Sequence, residues 1–257
     1  MALSVKPLRT LNNNYAWLLT AGRQPGALVI DPGEAGPVLA ALTAAKLDLE
    51  MILLTHLHPD HCGGTVELKQ RFPGARVVMH KEDAERVDFP VESKVDKGSS
   101  LDFHGNTVTV MHLPCHTRGC VAYLTGGYLF TGDTLFTAGC GKFFEGTTAE
   151  MHSNLARLKE LDPGLLIGCG HEYTVENLEY ARQADPGNQA LAARLDDARK
   201  QAAAGKFLVP ARLSLELATN PFLRLDDAGL QQSLGTGSEL ETLAALYRIY
   251  YQQNPPA

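Results

Sequence analysis

Short apolar runs at regular intervals organise the first two thirds of the chain. Asn14–Thr20, Ala27–Ile30, Met51–Leu54 and Arg76–Met79 each have strand length, and Ser4-Val5 reads as an earlier strand. Asp31-Pro32-Gly33 closes the second of these as a turn. Between the runs the period changes. Pro37 suits a first helical turn, and Val38, Leu39, Leu42 and Ala45 share one helical face. Gly63-Gly64 opens a second helix through Val66, Leu68 and Phe72, stopped near Pro73-Gly74. This β-α-β-α-β rhythm predicts an α/β layered fold. The middle of the chain is mostly strand: Thr107–His112 alternates, and Val121–Thr125 and Tyr128–Thr131 flank a Gly-Gly turn as a hairpin. Thr147 and Glu150 have capping-box spacing before a helix that buries Met151, Leu155, Leu158 and Leu161, and Leu165–Gly168 is a last strand. From Thr174 strand signals vanish and three helical patterns follow. These are Val175–Ala184, a helix carrying Leu191, Leu195 and Ala198, and one opened by Ser238 and Glu241 that carries Leu240, Leu243, Tyr247 and Tyr250. The change divides the chain into a domain over 1–173 and a helical domain over 174–257.

The loop after Met51–Leu54 carries the chemistry. Thr55-His56-Leu57-His58-Pro59-Asp60-His61 packs three imidazoles and a carboxylate into six residues. Neutral imidazole with carboxylate suits zinc or iron. An H-x-H pair leaving a strand lets two rings converge, and Asp60 and His61 can face a second ion. His116, Asp133 and His171 also sit where predicted strands end, which brings the set to seven N/O donors. That exceeds the three or four protein ligands of one zinc and matches two metals, with Asp133 as the bridge. Cysteine is absent from the set, whereas structural zinc sites favour thiolates, so the arrangement is a catalytic one. His80, His104, His112 and His152 have no ligand-like neighbours and read as surface or packing residues. Cys62 reads as a small buried hydrophobe. Asp31 is equally a turn residue and a partner that orients a metal-binding histidine.

Charge and cysteine content narrow the partners. A formal charge of −6 argues against nucleic acid and leaves an anionic substrate dependent on a few local cations. The five cysteines are scattered and odd in number, which fits reduced thiols in a cytoplasmic protein. No apolar run approaches the roughly 20 residues that span a bilayer, and the N-terminus shows no signal-peptide core.

T-H-L-H-P-D-H resembles the T-H-x-H-x-D-H signature of the metallo-β-lactamase superfamily. Five further segments are similar to glyoxalase II, the hydroxyacylglutathione hydrolases, within it. They are Pro114-Cys115-His116-Thr117, Phe130–Phe136, the glycine-punctuated Gly139–Gly146, Cys169–Thr174 and Asn220-Pro221-Phe222-Leu223-Arg224. The resemblance covers nearly the whole chain. It implies an αββα sandwich followed by a helical substrate-binding domain. It also implies two divalent ions, zinc first with iron or manganese as alternatives. His56, His58 and His116 would hold one ion and Asp60, His61 and His171 the other, with Asp133 bridging. Asp60 and Asp133 are then the catalytic carboxylates. The implied reaction is hydrolysis of S-D-lactoylglutathione to D-lactate and glutathione by a hydroxide held between the metals, within methylglyoxal detoxification. Lys142, Phe144, Tyr173 and Arg224 match glutathione contacts, with Arg224 expected to bring the tail over the site, and the protein is expected to act as a monomer. Many members have Tyr at Phe144 and further basic residues where this chain has Leu225-Asp226-Asp227. A persulfide dioxygenase, a lactonase and a non-catalytic metal-binding module are the alternatives. Retention of Asp60, His61 and His171 speaks against the first, and the N-P-F-L-R tail against the second.

Overall fold

A computed structural model describes residues 2–252, which form two compact units. One takes the chain up to Leu113 together with Thr117–Gly132 and Gly170–Glu172. The other takes Pro114–His116, Asp133–Cys169 and the chain from Tyr173 onward.

In the first unit, a six-stranded sheet runs in the order β1 (Leu3–Thr10), β2 (Asn14–Ala21), β3 (Gly26–Ile30), β4 (Asp48–Leu53), β5 (Arg76–His80), β6 (Ser93–Val95). β1 to β3 pair antiparallel, and β3 to β6 pair parallel. Parallel pairing requires crossovers. α1 (Ala35–Ala45) supplies the first, α2 (Pro59–Cys62) and α3 (Thr65–Arg71) the second, and α4 (Lys81–Ala84) follows β5. β3 and the last three residues of β4 are buried throughout, as strands covered on both faces are. Val38, Leu42 and Leu68 from the helices join Val29, Ile52, Leu54, Val77 and Met79 in one core. A second, antiparallel sheet is formed by β7 (Ser100–Phe103), β8 (Asn106–His112), β9 (Val121–Thr125) and β10 (Tyr128–Gly132). It stacks on the first: the rings of Trp17 and Phe130 lie 5.5 Å apart, and Tyr123 donates to the Leu54 carbonyl at 2.9 Å.

This layering puts Asp31 after β3 and Thr55 to His61 after β4, at the carboxyl ends of parallel strands, where α/β sheets carry their sites. β10 ends close beside them. Gly132 has φ +49°, and a Cβ there would lie 2.3 Å from Thr55 Oγ1, so only glycine lets the strand end there.

The second unit opens with the hairpin β11 (Leu135–Phe136) and β12 (Gly139–Cys140), then α5 (Thr148–Lys159). The expected capping box forms: Thr147 Oγ1 accepts from Glu150 N, and Glu150 accepts from Thr147 N. β13 (Leu166–Cys169) is followed by α6 (Thr174–Ala184) and α7 (Gln189–Ala203), then by β14 (Ala211–Arg212), which pairs with β13. α8 (Leu213–Thr219), a 3₁₀ turn at Pro221–Leu223, α9 (Ala228–Leu234) and α10 (Glu239–Tyr251) complete it. The tail therefore contains a strand that its sequence conceals, because two residues show no alternation. Leu240 is 45% exposed and not on the buried face of α10, which Leu243, Leu246, Tyr247 and Tyr250 form instead. Asn220 explains the N-P-F-L-R segment locally. Its Nδ2 donates to the carbonyls of Phe136 and Gly139, both at 3.1 Å, and its Oδ1 accepts from Phe222 N. The segment is thus a clasp between the tail and the β11–β12 hairpin. Among the described residues, no helix is long and apolar enough to cross a membrane.

Candidate metal centre

The loop after β4 brings its ring nitrogens together at once. His56 Nε2 and His58 Nδ1 stand 3.1 Å apart. Pro59 starts α2, so Asp60 and His61 fall in a single helical turn. His171 arrives from far along the chain. Tyr15 N donates to Gly170 O and Glu172 N to Asn13 O, each at 2.8 Å, fixing His171 beside Asn14. His171 Nε2 then lies 3.3 Å from both His61 Nε2 and Asp60 Oδ2. In the second unit, His116 Nε2 lies 3.4 Å from Asp133 Oδ2.

The opposite ring nitrogens decide what these atoms can do. His61 Nδ1 faces Asp31 Oδ2 at 3.0 Å, His171 Nδ1 faces Asn13 Oδ1 at 3.3 Å, and His116 Nδ1 faces the Lys142 carbonyl at 2.9 Å. Each of these oxygens accepts, so each Nδ1 carries the proton. Thr55 Oγ1 donates to Asp31 Oδ2 at 2.6 Å and accepts from His56 Nδ1 at 3.0 Å. In neutral imidazole the remaining Nε2 must then hold a lone pair, and this is true of His56, His61, His116 and His171. Lone pairs and a carboxylate converging within 3.3–3.6 Å of one another repel unless a cation sits among them. An oxygen partner behind each metal-binding histidine is also how proteins orient such ligands. The residues therefore fit divalent metal.

One further cluster does not fit. His80, Asp96 and His112 also approach one another, but the two rings stack at 4.0 Å with planes 14° apart. Ring lone pairs lie in the ring plane, so one ion cannot meet both. His80 and His112 are packing residues, as their sequence surroundings suggest.

Two carboxylates organise the centre from behind. Asp31 is buried at φ +52°, a left-handed conformation in which Asp and Asn are over-represented. Besides His61 and the Thr55 hydroxyl it accepts from Thr55 N at 2.7 Å, so it serves both as the turn residue and as the histidine partner. Asp83 is wholly buried and accepts from Leu57 N, Thr117 Oγ1 and Gly119 N. Burial pushes its carboxyl above the usual range against the pull of these donors. The sequence gives no sign of Asp83, whose partners lie 26 to 36 residues away.

Cys62 is buried at the end of α2 with its thiol donating to the Leu57 carbonyl at 3.2 Å. Burial, with Asp31 nearby, pushes the thiol up to about 12, which keeps it protonated and a poor nucleophile at neutral pH. Cys62→Ala should retain most turnover and lose about 1–2 kcal/mol of stability. Mass spectrometry during turnover checks this, because an acyl group trapped on any cysteine would contradict it.

The substrate residues suggested by the sequence all lie in the second unit. Phe144 is 61% exposed, with its ring 5.0 Å from that of His116. Tyr173 packs edge-on against Phe136 at 5.4 Å. Lys142 is half-buried, 5.4 Å above the ring of Tyr251. Arg224 is committed elsewhere. Its Nη1 pairs with Asp185, and its Nη2 with Asp227 Oδ2 at 2.6 Å. Asp227, held below the usual carboxylate range by Leu230 N and by Arg224, also caps α9. Charge-assisted hydrogen bonds of this kind are worth roughly 1.5–3 kcal/mol, and Arg224→Ala should lose about that much stability in urea unfolding.

A family model described as the metallo-beta-lactamase superfamily matches residues 9–171, and one described as hydroxyacylglutathione hydrolase C-terminus matches 172–249. A hydroxyacylglutathione hydrolase of Dechloromonas aromatica is 45% identical over 90% of this chain and 85% of its own. One of Synechococcus sp. is 42% identical over 93% and 95%. Among solved structures, ETHE1 from Myxococcus xanthus superposes with a TM-score of 0.69 at 21% identity, covering 99% of this chain and 92% of its own, and shares the fold. TTHA1623 in a di-iron-bound form superposes with a TM-score of 0.63 at 25% identity, covering 85% and 100%. With both segments matched and relatives this similar along most of its length, the chain belongs to the hydroxyacylglutathione hydrolase family of the metallo-β-lactamase superfamily.

Proposed function

We propose that the protein hydrolyses S-2-hydroxyacylglutathione thioesters, S-D-lactoylglutathione foremost, releasing D-lactate and glutathione in the cytoplasmic removal of methylglyoxal. The observation that carries this is the set of histidines whose Nδ1 protons are fixed by oxygen acceptors, on a chain whose relatives are hydroxyacylglutathione hydrolases. His56, His58 and His116 would hold one divalent ion and Asp60, His61 and His171 a second, with Asp133 shared. Zinc suits the donors, with iron and manganese as alternatives, and a structural neighbour carries two irons. Bound there, the ions supply Lewis acidity at the thioester carbonyl and a water of lowered pKa.

The chain's own groups do the rest. Asp31 and Thr55 hold the imidazole tautomers, and Asn14 Nδ2 steadies Asp60 Oδ2 at 3.0 Å. Lys142 meets the anionic tripeptide, because Arg224 is already neutralised by Asp185 and Asp227. Phe144 and Tyr173 flank the substrate with aromatic surface. The leaving group is a thiolate whose conjugate acid has a pKa of about 8.5, so its departure requires no strong general acid. The five cysteines are free and buried, in keeping with a reducing cytoplasm. Turnover of S-D-lactoylglutathione in ¹⁸O water is the test. One labelled oxygen in the lactate, with thiol and acid released one to one, supports direct hydrolysis. Absence of thioester loss from the metal-loaded protein defeats the proposal.

A further inference from the structure

Three tyrosines near the end of α10 each reach the loop segment 138–143, which includes β12. Tyr250 OH donates to Ala138 O at 2.7 Å and to Asn177 O at 3.1 Å. Tyr251 OH donates to Cys140 O, and the ring of Tyr247 lies 4.4 Å from that of Phe143. The loop so held is tightly constrained on its other side. A Cβ on Gly141 would lie 1.7 Å from the Asp133 carbonyl oxygen, and the Lys142 carbonyl accepts from His116 Nδ1. The Lys142 ammonium leaves this loop over the face of Tyr251. No carboxylate among the described residues pairs with it.

We propose that Tyr251 is a positioning residue for substrate capture, its ring presenting the Lys142 ammonium to the carboxylates of the glutathione moiety. The inference rests on the proposed glutathione-thioester reading and names the chain's device for it. A lysine head on a four-carbon stem samples many rotamers, and fixing it in advance removes part of the ordering cost of binding. An aromatic face at this distance attracts the cation without neutralising it, as a carboxylate would. The hydroxyl on Cys140 O and the ring contact with Tyr247, 4.9 Å away, keep that face in place. Arg224 shows the contrast: paired with two aspartates, it is held but spent.

The test is a double-mutant cycle on the metal-loaded protein, reading both Kd for the non-hydrolysable S-methylglutathione and KM for S-D-lactoylglutathione. Tyr251→Leu should weaken both about three- to tenfold with kcat nearly unchanged, whereas Tyr251→Phe, which keeps the ring, should stay within about threefold of the parent. In a Lys142→Met background, Tyr251→Leu should have no further effect, since its target is gone. Tyr251→Met, which retains bulk without a ring, replaces the leucine variant should that fail to fold. The inference is overturned if Tyr251→Leu matches the parent, or if its effect adds in full to that of Lys142→Met. A parent that shows the predicted Kd pattern but hydrolyses no thioester would sink the proposed activity and leave this inference standing. A parent that binds no S-methylglutathione overturns both.

Discussion

The Asp133→Ala protein is expected to lose both metals and its turnover together. Asp133 is 7% exposed, and its Oδ2 faces His116 Nε2, which the Lys142 carbonyl on the other side of the ring leaves unprotonated. A carboxylate has two oxygens and can serve two ions, so in the proposed bridging role its removal would take a ligand from each. Loss of a mere outer partner of a metal ligand typically costs 10- to 100-fold, and loss of a shared ligand should exceed about 100-fold in kcat/KM. His116→Ala should instead loosen one ion. Elemental analysis after gel filtration, with steady-state kinetics, separates these outcomes. Two metals per chain and parental turnover in Asp133→Ala would remove the bridging role.

A second large effect is expected from a residue outside the seven proposed ligands. Asp31→Asn keeps a side chain that tolerates φ +52°, so the fold should survive. The substitution replaces one acceptor oxygen with an NH₂ group. Asp31 receives Thr55 N, Thr55 Oγ1 and His61 Nδ1 on its two oxygens, and an amide cannot accept from all three. An NH₂ facing His61 would favour the tautomer with its proton on Nε2, which removes the lone pair that faces His171 and Asp60. Metal affinity and activity should each fall about 10- to 100-fold, with a stability loss of about 1–3 kcal/mol from the buried donor left unmet. Competition with a chromogenic chelator measures the affinity directly. An unaltered affinity would show that the tautomer is held by something other than Asp31.

These two residues also mark where the sequence is legible. The donors His56, His58, Asp60, His61, His116, Asp133 and His171 can be picked out because metal ligands must be particular residue types, and each stands at the end of an apolar run. The layered α/β part is legible for the same reason, since buried parallel strands such as Ala27–Ile30 cannot hide their composition. Contacts between distant positions leave no such trace. Asp31 looks equally like a turn residue, Asp83 sits in an ordinary Lys-Glu-Asp-Ala stretch, and Tyr251 lies next to the buried face of α10 without belonging to it. Arg224 shows how far a motif can be trusted. Its place in N-P-F-L-R suggests a substrate cation, while Asp227, visible three residues later as a departure from the family pattern, pairs with its guanidinium. β6, β7 and β14 are too short to show a period.

Two divalent ions, held by these seven side chains, are expected to make the protein a thioester hydrolase. Titrating metal back into the chelated protein, while following loss of S-D-lactoylglutathione, tests it most directly. Hydrolysis by the metal-free protein should be negligible and should rise with added metal until it levels off near two ions per chain. Full hydrolysis without metal, or none with two ions bound, would contradict it.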